Sequence, residues 1–253
     1  MTEQIYGNIE RISKLLHLEL SSTELAELAE KENFSSEAVI SIGKLFTHLE
    51  EKKKSSIVTT ILKTSRLPLT KPKTFSNFDF SRISGDNVDS LKNIQSLSAV
   101  YSHRNLAFIG PAGTGKTHLA QAFGYECCLH GMKCYFIKMS ELGETVSKVL
   151  SSRVRPSCLI IDEVGHCTFD VENTRLFFDL IDRRYQKEGN YNMVFTSNKN
   201  PALWKENFSE NDTLLCALDR IFDDATVFKI KGQTYRDKAL ETIDLRAEKQ
   251  ASV

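Results

Sequence analysis

The sequence predicts an α/β fold: a parallel sheet of five strands with helices on both faces, preceded by a small all-helical segment. Three observations carry this. Gly110-Pro111-Ala112-Gly113-Thr114-Gly115-Lys116-Thr117 fits the phosphate-loop pattern G-x-x-x-x-G-K-[ST], with a strand-like run before it and a helical stretch after it. From Asn105 onward, short apolar runs alternate with helical stretches, which implies parallel strands joined by helical crossovers. In the first third of the chain, apolar residues recur at helical spacing.

The elements follow in order. Ile5, Ile9, Ile12 and Leu16 mark a first helix. Ser21-Ser22-Thr23-Glu24 has capping-box form and starts a second, through about Lys31. Ser35 or Ser36 caps a third, with Val39, Ile42, Phe46 and Leu49 along one face. It is expected to run toward Arg66 and to stop at Pro68 and Pro72, because residues before proline avoid helical geometry. Strands are expected at Leu106–Ile109, Cys134–Ile137, Cys158–Ile161, Met193–Thr196 and Thr226–Ile230, and helices at His118–Leu129 and Asp212–Ala217. The expected organisation is a helical partner-binding domain over 1–67, a basic connector and lead-in over 68–104, and the sheet domain over 105–253.

Composition narrows the class. A hydrophobic fraction of 41% supports a real core, and no apolar run approaches the roughly 20 residues that span a bilayer. With no signal-type N-terminus, a cytoplasmic protein without a membrane partner is expected. The net charge is zero but unevenly placed. Residues 1–51 carry ten acids and four bases, whereas residues 52–78 carry seven bases and no acid. That basic stretch is either a solvated helix face with a polar linker or a segment that follows a nucleic-acid backbone. Cys127, Cys128, His130 and Cys134 straddle a helix end and the next strand. Adjacent helical cysteines diverge by about 100°, so buried reduced thiols are expected rather than a metal centre.

The phosphate loop defines the chemistry. Its glycines let backbone N–H groups turn toward the β- and γ-phosphates, Lys116 neutralises phosphate charge, and Thr117 offers a hydroxyl to Mg²⁺. Cys158-Leu159-Ile160-Ile161-Asp162-Glu163 has Walker B form, in which Asp162 supports Mg²⁺ and Glu163 polarises a water for in-line attack. A small-molecule kinase must keep water out, so the paired acids favour ATP hydrolysis over transfer to a metabolite. Asn198 ends the apolar run Val194-Phe195-Thr196-Ser197 and can orient that water; an ordinary strand-exit turn is the alternative. Arg220 can reach a neighbouring subunit's γ-phosphate, or make a surface salt bridge. The expected nucleotide site is therefore Gly110, Pro111, Ala112, Gly113, Thr114, Gly115, Lys116, Thr117, His118 and Asp162, with Thr117 and Asp162 toward the metal.

With these parts in order, the chain resembles AAA+ ATPases of the DnaC/DnaA helicase-loader clade. More closely, it resembles the IstB-like ATP-binding proteins encoded beside insertion-sequence transposases. The matching segments are Phe75-Ser76-Asn77-Phe78-Asp79-Phe80, the phosphate loop continued by His118-Leu119-Ala120, and Ile160-Ile161-Asp162-Glu163-Val164-Gly165. They continue with Leu176-Phe177-Phe178-Asp179-Leu180-Ile181-Asp182-Arg183-Arg184-Tyr185, Thr196-Ser197-Asn198-Lys199 with Trp204 and Phe208, Leu218-Asp219-Arg220, and Gly232-Gln233-Thr234-Tyr235-Arg236. The resemblance implies a P-loop NTPase with an AAA+ core, Glu163 as catalytic base, Asn198 as first sensor and Arg220 as arginine finger. It also implies ATP-dependent assembly on double-stranded DNA and presentation of that DNA to a transposase. Only about 20 residues follow Ile230, too few for the helical lid expected of a full AAA+ module, so no second sensor is assigned and Arg236 is the candidate substitute.

These readings combine into one expectation. ATP bridges neighbouring copies of a homo-oligomer, basic side chains grip DNA phosphates, and hydrolysis dismantles the assembly. Lys138, Lys148, Arg153, Arg155 and the basic connector are candidate DNA contacts, with a solvated face as the alternative for each. The rival readings are a replicative helicase loader, an ATP-gated DNA adaptor with incidental hydrolysis, and a small-metabolite phosphotransferase.

Overall fold

The structure, a computed structural model, describes residues 2–84, 88–142, 155–186, 188–189, 191–209 and 211–232. Lys148, Arg153 and Arg236, and the expected absence of a lid, lie outside the described residues.

Three helices open the chain: α1 (Thr2–Leu16), α2 (Ser22–Lys31) and α3 (Ser36–Thr64). The capping box forms at α2, where the Ser21 hydroxyl accepts from the Glu24 N–H at 3.2 Å and the Glu24 carboxylate accepts from the Ser21 N–H at 2.9 Å. Ser35, not Ser36, caps α3. Helix α1 packs along α3, burying Ile9 and Ile12 on one and Val39 on the other. Arg11 grips Glu50 through both terminal nitrogens, at 3.0 and 2.8 Å. Helix α3 stops at Thr64. Ser65 supplies its C-cap, and Arg66 takes a left-handed φ of 60° that turns the chain before Pro68.

The sheet region contains β1 (Ile83–Ser84), α4 (Val88–Lys92), α5 (Ser98–Tyr101), β2 (Asn105–Ile109), α6 (Lys116–Leu129), β3 (Cys134–Lys138) and β4 (Cys158–Asp162). It continues with α7 (Val171–Tyr185), β5 (Asn192–Ser197), α8 (Asn211–Phe222), β6 (Ala225–Lys229) and β7 (Lys231–Gly232). Five strands form one parallel sheet in the order β3-β4-β5-β2-β6, while β1 and β7 make a short antiparallel pair. The five expected strands all form, each shifted by no more than a residue or two at either end. Helix α8 is longer than expected, because Leu218, Ile221 and Phe222 extend its apolar face. Arg220 therefore sits on the helix rather than after it.

Alternation along the strands feeds two cores. On one face Leu106, Phe108, Ile160 and Val194 pack with Leu119, Phe123, Cys127 and Cys128 of α6, joined by Ile61, Leu67, Phe75 and Phe78 from the preceding chain. On the other, Ala107, Ile109, Leu159, Ile161 and Phe195 pack with Phe177, Leu180, Ile181, Trp204, Ala217 and Ile221. The thiols of Cys127, Cys128, Cys134 and Cys158 are buried inside the first layer. Among the described residues, no helix is long and apolar enough to cross a membrane.

The sheet also decides why residue 110 is glycine. Strand β2 runs straight into β6's exit, where the Ile230 N–H donates to the Ile109 carbonyl. A Cβ on Gly110 would stand 2.2 Å from the Ile230 carbonyl oxygen, which is backbone and cannot swing away. Gly110→Ala is therefore expected to lower stability by roughly 1–3 kcal/mol in urea denaturation without nucleotide, an overpacking cost separate from any effect on binding.

Candidate nucleotide site

The loop from Gly110 to Gly115 leaves β2 at the carboxyl end of the sheet, where the strand connections diverge to either side. Gly113 and Gly115 hold φ values of 81° and 89°, which a Cβ would oppose, and α6 begins immediately afterwards at Lys116. The Thr114 hydroxyl donates to the Pro111 carbonyl at 2.9 Å, and so does the Lys116 ammonium at 2.6 Å. These bonds draw the loop into a cup whose N–H groups precede a helix N-terminus, an arrangement suited to phosphate.

Beneath the loop, Asp162 ends β4 almost wholly buried. One of its oxygens, Oδ1, accepts from the Thr117 hydroxyl at 2.8 Å and from the Thr196 hydroxyl at 2.5 Å. Burial pushes the Asp162 pKa up, and the two hydroxyl bonds oppose that shift without cancelling it. A buried carboxylate and a hydroxyl side by side under a phosphate cup are hard oxygen donors, the kind that hold Mg²⁺ together with phosphate oxygens and water.

Glu163 follows with a left-handed φ of 63°, a strained backbone for a residue with a Cβ. Thr196 and Ser197 stabilise that turn. The Glu163 N–H donates to the Thr196 hydroxyl at 3.0 Å, the Val164 N–H to the Thr196 carbonyl at 2.9 Å, and the Ser197 hydroxyl to the Val164 carbonyl at 2.6 Å. Trp204, fully buried, donates its indole N–H to the Ser197 oxygen at 3.1 Å. The Glu163 carboxylate is left exposed, 3.4 Å from the Lys138 ammonium. Lys138 is thus placed beside the acidic pair, and Arg155 is exposed elsewhere.

A cleft of about 430 Å³ gathers these groups, a volume ordinary for a small-molecule site. Ala112, Gly113, Gly115, Lys116, Thr117, His118, Glu163, Thr196, Ser197 and Asn198 line it; Asp162 meets it through the lining hydroxyls of Thr117 and Thr196, and Gly110, Pro111 and Thr114 are not in its wall. Asn198 is exposed at its rim. Arg220 is not part of this wall; on α8 it is paired with Asp182 at 3.1 Å, the surface contact that the sequence left open.

Five residues line the cleft that sequence reasoning did not assign to it: Thr196 and Ser197, described above, and Lys73, Phe78 and His166. Lys73 and Phe78 belong to the stretch before the sheet. His118 ties that stretch down, since its Nε2 lies 3.0 Å from the Thr74 carbonyl and its ring meets Phe78 edge-on at 5.1 Å. A carbonyl only accepts, so Nε2 carries the proton. Burial lowers the His118 pKa, and Lys73 adds to the effect against the opposing Thr74 bond, so the site favours the neutral imidazole. The match at Phe75–Phe80 was the sequence signal for this contact, and its place was not.

The chain is similar to known proteins along most of its length. The family described as IstB-like ATP binding protein matches residues 11–242. The insertion sequence IS5376 ATP-binding protein of Geobacillus stearothermophilus is 31% identical over 99% of both chains. The corresponding IS21 protein of Pseudomonas aeruginosa is 34% identical over 70% of this chain and 68% of its own. Among solved structures, DnaI superposes with a TM-score of 0.51 at 19% identity, over 64% of this chain and 90% of that one, a likeness of fold.

Thr196 serves two partners from an almost wholly buried position in the cleft wall. Thr196→Val, equal in shape, leaves the Glu163 N–H and an Asp162 oxygen each short of a bond. It is expected to lower stability by about 1–3 kcal/mol in urea denaturation, with Thr196→Ser restoring most of the loss.

Proposed function

This chain belongs to the IstB-like ATP-binding proteins of insertion sequences, and from that premise we propose that it hydrolyses ATP at a site shared by neighbouring copies, assembles on double-stranded DNA, and assists a transposase in target selection and strand transfer. The observation that carries the proposal is the joint placement of Lys116, Thr117, Asp162, Glu163 and Asn198 at one cleft, with Arg220 outside it.

The chain's own groups have these roles. Backbone N–H groups of residues 112–117 and the Lys116 ammonium hold the β- and γ-phosphates. Thr117 and Asp162 would hold Mg²⁺, which would supply charge neutralisation on the phosphate oxygens. Glu163 accepts the proton of the attacking water, Asn198 orients that water, and ADP leaves in line as phosphate forms. The ion pair between Lys138 and Glu163 is half-exposed at both ends, so it is weak and exchangeable, and it does not bar Glu163 from water.

The guanidinium of Arg220 reaches the γ-phosphate of the next copy, so ATP bridges an interface and its loss loosens the assembly. DNA is gripped through phosphates, Arg155 being one exposed candidate, so binding depends on salt and little on sequence. The protein works in the cytoplasm. Membership of the insertion-sequence family favours a transposase partner over a replicative helicase.

Glu163→Gln is expected to bind ATP and duplex DNA but to hydrolyse about 10²–10⁴-fold more slowly, leaving complexes that persist in electron micrographs. Full transposition stimulation by that variant would favour an adaptor in which hydrolysis is incidental. Arg220→Ala is expected to bind ATP yet to lose both hydrolysis and ATP-dependent assembly, measured by phosphate release and light scattering. Wild-type turnover by monomers of that variant would refute the shared site.

A further inference from the structure

Helix α7 contains the segment that most narrows the family resemblance, and its buried and exposed faces do different things. Phe177, Leu180 and Ile181 face the core, where they meet Ala217 and Ile221 of α8. That apolar contact already docks the two helices. Phe178, Asp182 and Tyr185 are spaced four and three residues apart, so they share a second face of the same helix. All three converge on one side chain of α8, Arg220.

The contacts define a cradle. The Arg220 Nε lies 3.1 Å from Asp182 Oδ1, and its Nη1 donates to the Cys216 carbonyl at 3.1 Å. The guanidinium carbon is 5.2 Å from the Phe178 ring centre and 6.0 Å from that of Tyr185. Asp182 is itself held, because its other oxygen accepts from the Gln186 side-chain amide at 2.8 Å. Tyr185 is anchored by its hydroxyl, which donates to Asp223 at 2.9 Å. The Arg220 side chain remains 30% exposed, so the cradle restrains the guanidinium without hiding it.

We propose that Phe178, Asp182 and Tyr185 are positioning residues that hold the Arg220 guanidinium in place for a second copy of this chain, whose bound nucleotide it meets. The inference rests on the shared-site reading above and adds how the arginine is aimed. A long arginine side chain free in water loses rotamer freedom when it engages a phosphate. One already held by a carboxylate and two rings has lost that freedom beforehand, so the approach of a second copy meets an ordered donor. Planar stacking and a fork of N–H donors also make lysine a poor substitute at 220.

The test uses the full-length chain with ATP and duplex DNA. Asp182→Asn is expected to lower kcat by about tenfold with KM for ATP within about twofold, because orientation is lost and nucleotide binding is not. Asp182→Glu, which keeps the charge, recovers part of the rate, and Tyr185→Leu, an exposed change, loses a smaller part. Mixing Asp182→Asn with Glu163→Gln subunits is expected to exceed the summed activities of the two alone, since intact cradles then serve intact Glu163 sites. Wild-type kcat in Asp182→Asn, with Arg220→Ala inactive, would overturn the cradle and leave the shared site standing. Loss of rate that mixing does not recover would make Asp182 structural and also overturn it. Wild-type rates in both Asp182→Asn and Arg220→Ala would remove the shared-site reading itself.

Discussion

The buried carboxylate of Asp162 is the constraint around which the site is arranged. A lone ionised acid at the end of a central strand is costly, and Asp162 is relieved by hydroxyls from two other elements, Thr117 on α6 and Thr196 on β5. Those two bonds fix the separation of the phosphate loop, the acidic strand end and the neighbouring strand. Thr196 extends the arrangement by one residue, because the same hydroxyl that donates to Asp162 accepts from the Glu163 N–H. The left-handed turn at Glu163 is stabilised there and points a carboxylate into the cleft.

Two apolar layers hold this arrangement rigid. The strand residues preceding Asp162, Cys158 to Ile161, are fully buried and contribute alternately to the two sheet faces. A cleft built on the ends of such strands inherits their precision, whereas the loops around it contribute shape. Gly110 belongs with the strands in this respect: its missing side chain accommodates the Ile230 carbonyl as β6 leaves the sheet.

The end of α3 is joined to the sheet region by direct contacts. The Phe136 N–H of edge strand β3 donates to the Ser65 carbonyl at 2.8 Å, Arg66 pairs with Glu141 at 2.7 Å, and Ile61 and Leu67 enter the core beside α6. The chain then passes the cleft, placing Lys73 and Phe78 on its wall and the Thr74 carbonyl on His118. Of the basic stretch that ends there, Lys54 pairs with Glu50, Arg66 with Glu141, and Lys73 lies at the cleft. Part of its charge is therefore engaged within the molecule, and the stretch is not a uniform polyanion-binding surface.

The sequence by itself determined the elements and their chemistry, because both are local. Strand and helix periodicity, the capping box at Ser21, and the run from Gly110 to Thr117 each lie within a few consecutive residues, and physics at that range does not depend on the rest of the chain. What depended on distance was decided by the tertiary structure. Thr196 reads as one more residue of an apolar strand until parallel pairing of β4 with β5 sets it against Asp162. Lys73 and Phe78 read as a connector until the chain folds back over His118. Arg220 was expected beyond a helix, and the partners that hold it are about 40 residues earlier, on another helix. Such contacts join residues far apart in the chain, and no spacing rule along one element can anticipate which side chains the packing of several elements will bring together.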